Sequence, residues 1–288
     1  MRKIFLLLFS ILLTVTVDSV GSQKFKGYLV IIGGGKRPDY ITNKMIELAG
    51  GNEAKFAVIP MASSAPMESA LDQKEDLERL GVKNIEIILC DSTSANSVSV
   101  LNKIKGVNAV YFTGGDQALL TKALLGTKLL MEIKNIYNNG GVIGGTSAGA
   151  AVMSKIMITG DELLNSDSTR SFIEIRKGNI KTTEGFGFVT SAVIDQHFIR
   201  RKRHNRLITI ILENPELLGI GIDESTSILV KPDNTFEVLG EREVIVYDAS
   251  ESKDINVNPL GLLSASNMKM HILISGNKFD LKNKRIIE

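Results

Sequence analysis

Gly141-Val142-Ile143-Gly144-Gly145-Thr146-Ser147-Ala148-Gly149 is the stretch on which the fold turns. A short apolar run, Gly141–Gly144, reads as a buried strand. It ends in a G-x-S-x-G pattern, and a helix is expected to begin near Ser147. A sharp strand-to-helix turn exposes the serine hydroxyl and leaves the next N–H groups aimed at the same point. The pattern equally describes a tight structural turn capped by a serine, so its partners decide between the two readings.

Upstream, apolar segments alternate with helical ones. Strands are predicted at Gly27–Ile32, Lys55–Pro60, Asn84–Cys90 and Asn108–Phe112. Helices are predicted over about 40–48, from Ser64-Ala65-Pro66 to about Leu80 with the serine as cap, over Ser94–Ile104, and after Gly114-Gly115-Asp116-Gln117. Continuous apolar strands separated by helices imply a parallel sheet covered on both faces. Ligands of such sheets sit beyond the carboxyl ends of the strands. Four strands end there in glycine or small-residue loops: 33–35, 62–64, 114–117 and 145–149.

Downstream, Phe188–Ile194 is predicted as a strand and Phe198–Leu212 as a helix with a strongly basic face. Leu217–Ile222 and Ser227–Val230 read as strands flanking Asp223–Thr226. Thr235–Leu239 and Val244–Val246 read as a hairpin, and the tail from Glu251 has no clear pattern. With no repeat or linker, residues 22–288 read as one catalytic domain.

Arg2 and Lys3 precede Ile4–Val17, an apolar run broken only by Ser10, Thr14 and Thr16, and small residues follow at Ser19, Gly21 and Ser22. This is the pattern of a secretory signal peptide, assigned to residues 1–21. The run is short for a spanning helix. An exported protein, periplasmic or secreted and without stable membrane insertion after cleavage, is therefore expected. The single cysteine, Cys90, excludes an intramolecular disulfide and a cysteine-based zinc site. The absence of tryptophan excludes a sugar platform built on it, and a net charge of +2 gives no ground for nucleic-acid binding.

A nucleophilic serine needs a base. Of the three histidines, His197 follows an apolar strand in Asp195-Gln196-His197, the placement expected of a site residue. His204 falls inside the basic helix and is expected to be solvated; His271 has no polar companions nearby. The base needs an acid to orient it. Asp223 and Glu224 lie together past another apolar strand, and spacing alone does not choose between them. The order Ser…His…acid differs from the Ser…acid…His of ordinary α/β-hydrolases. The run Arg200-Arg201-Lys202-Arg203-His204-Asn205-Arg206 reads by default as a solvated face or a polyanion patch. Its position just after the base suits a carboxylate-rich substrate.

Together, Gly114–Gln117, Gly144–Ala150, Asp195-Gln196-His197-Phe198 with Arg201, Arg203 and Arg206, and Gly221-Ile222-Asp223-Glu224 resemble the cyanophycinase family. That family belongs to serine peptidases that also include the aspartyl dipeptidases. The motifs span about 28–230 in the same order. The resemblance implies a three-layer, mostly parallel α/β fold of the class I glutamine-amidotransferase type, flavodoxin-like, with a nucleophile elbow. It implies a triad of Ser147, His197 and Glu224. It gives substrate-binding roles to Gln117, Asp195, Gln196, Arg201, Arg203 and Arg206. An oxyanion hole is expected from the N–H groups of Ala148, Gly115 and Asp116. It implies as substrate cyanophycin, poly-aspartate with arginine on each β-carboxylate, released as β-aspartyl-arginine. Neither metal nor organic cofactor is expected, and a homodimer is left open. The alternatives are a dipeptidase for small aspartyl peptides, a catalytically inactive binding homologue, and a polyanion-binding helix at Arg200–Arg206. Two features depart from the family: the leader, and the absence of an acid directly after Gly33-Gly34-Gly35.

Overall fold

The computed structural model describes residues 26–164 and 172–288; the expected leader lies outside them. The apolar runs form strands β1 (Tyr28–Ile32), β2 (Lys55–Ile59), β3 (Asn84–Ile87), β4 (Ala109–Phe112) and β5 (Val142–Thr146). They pair parallel in the order β3-β2-β4-β5-β1. Strands buried on both faces need apolar side chains at every position, which is why these runs do not alternate. One face packs on α1 (Asp39–Leu48) and α2 (Pro66–Arg79) through Ile41, Met45, Ala70 and Leu77. The other face packs on α3 (Val98–Lys103), α4 (Gln117–Leu124), α5 (Lys128–Asn138) and the one-turn α6 (Ala148–Ala151). Helix α2 starts at Pro66 without the side-chain cap expected from Ser64. Ser63 instead accepts from the Ala65 N–H at 3.1 Å.

The second half departs from a single sheet. Strands β6 (Ile156–Glu162) and β7 (Ile180–Glu184) form a separate ribbon. Strands β8 (Ala192–Gln196) and β9 (Leu218–Ile222) pair parallel in a second sheet. Next, β10 (Thr226–Val230) and β11 (Thr235–Gly240) return to the main sheet, where β10 runs antiparallel to β1. Then β12 (Val244–Asp248) rejoins the second sheet against β9. The hairpin expected from 235–239 and 244–246 is therefore two strands of different sheets. The tail is ordered: β13 (Lys253–Val257) and β14 (Leu263–Ser266) form a ribbon, β15 (Lys269–Leu273) edges the second sheet, and β16 (Lys278–Asp280) and β17 (Arg285–Ile287) extend the main one.

A single buried cluster joins the sheets, with Ile31, Phe112 and Ile143 of the main sheet and Ile194, Ile220 and Val246 of the second. The outer face of the second sheet packs on α7 (His204–Glu213) through Leu207, Ile210 and Ile211. The basic helix expected from Phe198 begins only at His204. Positive φ at His197 (48°) and Lys202 (53°) breaks the backbone into turns before it. No helix among the described residues is long and apolar enough to cross a membrane.

Candidate active site

Ser147 stands at the end of β5 with φ 53° and ψ −108°, a conformation that L-residues rarely adopt. Its N–H donates to the Ile32 carbonyl at 3.0 Å, which ties the turn to the end of β1. Helix α6 is only one turn long, so its value lies in individual N–H groups rather than in a long dipole.

His197 follows β8, and its N–H donates to the Gly33 carbonyl at 2.7 Å. Its ring meets two groups: Ser147 Oγ lies 2.9 Å from Nε2, and Glu224 Oε1 lies 2.7 Å from Nδ1. A carboxylate only accepts, so Nδ1 carries the proton and Nε2 is left to accept from the serine hydroxyl. His197 is buried. Burial holds its pKa below the ordinary imidazole value; Arg201 and Arg203 push the same way, and the Glu224 hydrogen bond opposes them. That lowering favours the neutral imidazole, the form a general base requires. The hydrogen bond from His197 lowers the Glu224 carboxyl in turn.

Spacing left two acids, and the fold separates them. Glu224 reaches the imidazole. Asp223 turns inward, where its Oδ1 accepts from the Arg200 N–H at 2.9 Å and its Oδ2 makes no hydrogen bond. The glycine loop after β1 makes room for both site residues. A Cβ on Gly34 would lie 2.4 Å from His197 Cε1, and one on Gly35 would lie 2.8 Å from Glu224 Cβ. Sequence reading missed this duty. Its signal was the triple glycine at a strand end.

The three expected oxyanion donors divide. The N–H groups of Gly115 and Ala148 make no hydrogen bond among the described residues. Asp116 does not belong with them. Its N–H donates to the Ala62 carbonyl at 2.8 Å, and its carboxylate accepts from the Ala118 N–H as the cap of α4.

The expected binding residues divide too. Asp195 and Arg206 are each about 1% exposed and pair with each other, Arg206 Nε lying 2.7 Å from Asp195 Oδ2. Two groups locked into a buried bidentate pair are not available to a ligand, so their expected direct contact with substrate is corrected to a structural pairing. Gln117 uses its amide nitrogen on the carbonyls of Ile158 (2.8 Å) and Thr159 (2.7 Å), so it anchors β6 and has no hydrogen left to donate. Gln196 accepts from Arg203 through its side-chain oxygen and, at 2.6 Å, its carbonyl. Burial and its arginine neighbours lower the Arg203 pKa to about 10. Arg201 is exposed beside the imidazole. His204 is not solvated: its Nδ1 lies 2.7 Å from the Tyr247 hydroxyl and its ring packs on Phe198. Cys90 is no rival nucleophile, since burial pushes its thiol up to about 11.

The model of peptidase family S51 matches residues 29–238. A cyanophycinase of Synechococcus elongatus is 31% identical over 269 residues, covering 91% of this chain and 81% of its own. A cyanophycinase of Trichormus variabilis is 30% identical, covering 92% and 89%. A peptidase E of a Nostoc species is 24% identical, covering 74% and 84%. Among solved structures, a peptidase from an acI-B1 actinobacterium superposes with a TM-score of 0.66 at 22% identity, covering 89% of this chain and 98% of that one.

Proposed function

The chain belongs to peptidase family S51, and from that premise we propose that it is an exported serine exopeptidase that hydrolyses cyanophycin to β-aspartyl-arginine. The observation that carries the reading is the unbroken relay Ser147–His197–Glu224, at 2.9 and 2.7 Å. The cyanophycinases at about 30% identity over nine-tenths of the chain support the substrate. Export rests on Arg2-Lys3 and the apolar run Ile4–Val17.

In this reading Ser147 Oγ attacks the backbone carbonyl while Nε2 of His197 takes its proton. Glu224 stabilises the imidazolium that forms. The oxyanion is met by the N–H groups of Gly115 and Ala148. Collapse of the tetrahedral intermediate breaks the C–N bond, and the imidazolium protonates the leaving amine. Water, activated by the same imidazole, then frees the acyl group from the serine. Arg201 and Arg203, which act on the imidazole, are assigned in this reading to substrate carboxylates.

The test is incubation of the mature protein with cyanophycin and identification of the products by mass spectrometry. β-Aspartyl-arginine from the native protein and none from Ser147→Ala is the expected result. Unchanged hydrolysis by Ser147→Ala in a clean preparation would sink the mechanism. Cleavage of small aspartyl dipeptides without attack on the polymer would instead support the aspartyl dipeptidase reading, which the peptidase E relative favours. Hydrolysis of neither would leave an inactive homologue.

A further inference from the structure

With Asp195 buried against Arg206, a cationic group of the substrate needs another acid to meet it. A cavity of about 610 Å³ opens beside the elbow, lined by Gly114 and Thr146 on one side and by α2 on the other. Gly114 lies against the nucleophile: a Cβ there would be 3.4 Å from Ser147 Cβ. The cavity wall carries seven charged groups. Four are paired: Asp39 with Arg79, at 2.7 Å, and Asp76 with Arg37 and Arg79, at 3.1 and 3.4 Å. The side chains of Lys36, Glu68 and Asp72 make no ion pair or hydrogen bond among the described residues. Glu68 and Asp72 are four apart on α2 and so share one face.

A second feature of the cavity calls for a ligand. Gln73 lines it and is 7% exposed. Its Oε1 accepts from Arg37 at 3.1 Å, which fixes the amide orientation, and its Nε2 is buried with no acceptor. A buried donor without an acceptor is unfavourable, because it has given up its hydrogen bonds to water. A carbonyl or carboxylate oxygen entering the cavity would supply the acceptor, while the carboxylates on α2 face any cation carried with it.

We propose that this cavity is the subsite for a cationic side chain of the substrate, with Glu68 and Asp72 meeting its guanidinium or ammonium group and Gln73 Nε2 meeting an adjacent oxygen. The inference rests on the aspartyl-peptide reading above. It adds specificity-determining residues on an element that carries none of the family motifs.

Two measurements test it. The first compares kcat/KM for β-aspartyl-arginine peptides with that for the same peptides carrying citrulline, an uncharged isostere. The native protein should prefer arginine by about tenfold or more, the order expected of two partly exposed charge contacts. Glu68→Gln with Asp72→Asn should remove that preference, mainly through KM. Glu75→Gln with Glu78→Gln, an equal charge change on α2 away from the cavity, should keep it. The second measures binding of Nα-acetyl-arginine amide and its citrulline counterpart to Ser147→Ala protein by calorimetry, and needs no turnover. Arginine should bind more tightly, and the double variant should abolish the difference. A preference that survives the double variant, equal binding of the two ligands, or binding of neither overturns the proposal. Absence of hydrolysis alone overturns the aspartyl-peptide reading and leaves the calorimetry to decide the subsite.

Discussion

Substitution of Gly34 by alanine should disable the site while leaving the fold standing. Gly34 has φ +108°, and its missing Cβ would sit 2.4, 2.5 and 2.9 Å from Cε1, Nε2 and Nδ1 of His197. Ordinary Cβ contacts begin at 3.4 Å. The imidazole must therefore retreat by about 1 Å. It has no free direction, since Glu224 holds Nδ1 at 2.7 Å and the His197 N–H is bound to Gly33 at 2.7 Å. A misplacement of about 1 Å costs roughly 100-fold in rate, or about 2.7 kcal/mol in the barrier. The strained backbone adds about 1–3 kcal/mol of lost stability, a fall of several degrees in Tm for a chain of this size.

Gly50 separates the two effects. Its φ is +109°, and nothing lies within 4 Å of its would-be Cβ. Gly50→Ala should carry the same backbone strain without the clash. Both variants should lose comparable stability in thermal denaturation. Only Gly34→Ala should lose turnover, and only there should a fluorophosphonate label Ser147 slowly. Labelling of Gly34→Ala at the native rate, or an equal loss in Gly50→Ala, would refute the reasoning.

The acid assignment predicts that Glu224→Gln lowers kcat by about 10²–10⁴-fold, whereas Asp223→Asn, whose amide oxygen can still accept from Arg200, keeps most of it; steady-state kinetics of the two variants decides. The base must be neutral, and its pKa is lowered by burial, Arg201 and Arg203 against the pull of Glu224. The acid limb of kcat/KM should therefore lie below about 6.5 and move up in Arg201→Gln, as a pH–rate profile will show. The unfolded chain protonates His197 first, so this residue's contribution to stability declines as pH falls below about 6.5; urea melts at pH 5 and 7 read it. Asp195→Asn strands a buried guanidinium and should cost about 3–5 kcal/mol by chemical denaturation. Asp195→Leu with Arg206→Met should recover much of that loss, whereas a pair serving only substrate would leave the single variant as stable as the native protein.

Much of the main sheet was legible because its strands are continuous apolar runs ending in glycine loops, and the elbow because G-x-S-x-G needs a strand before it. What stayed hidden lies in pairing at a distance. Leu218–Ile222 and Thr226–Val230 are three residues apart, alike in composition and in different sheets. Nothing local marks the turn that separates them, whose Ser225 has φ 56°. Arg206 read as part of a solvated basic run and Asp195 as a substrate contact, because each is costly to bury alone. Only their mutual hydrogen bonds make the interior tolerable, and those join residues eleven apart. Asp116 reads as an oxyanion donor from its place in the glycine loop, but its N–H is held by the carbonyl of Ala62, on the loop after β2.

The chain order Ser…His…Glu follows from where the two sheets meet. Ser147 leaves β5 of the main sheet, and His197 leaves β8 of the second. Glu224 lies in the turn by which the chain passes from β9 back to β10. The end of β1 joins all three. Ile32 accepts from the Ser147 N–H, Gly33 accepts from the His197 N–H, Gly34 accepts from the Ser225 N–H, and the Gly33 N–H donates to the Thr226 carbonyl. These four bonds, each 2.7 to 3.0 Å, hold three distant segments to three consecutive residues. Side chains at positions 34 and 35 would push the imidazole and the acid away. The elbow presents the serine proposed as nucleophile, but the loop after β1 sets the distance at which the proposed base and acid stand.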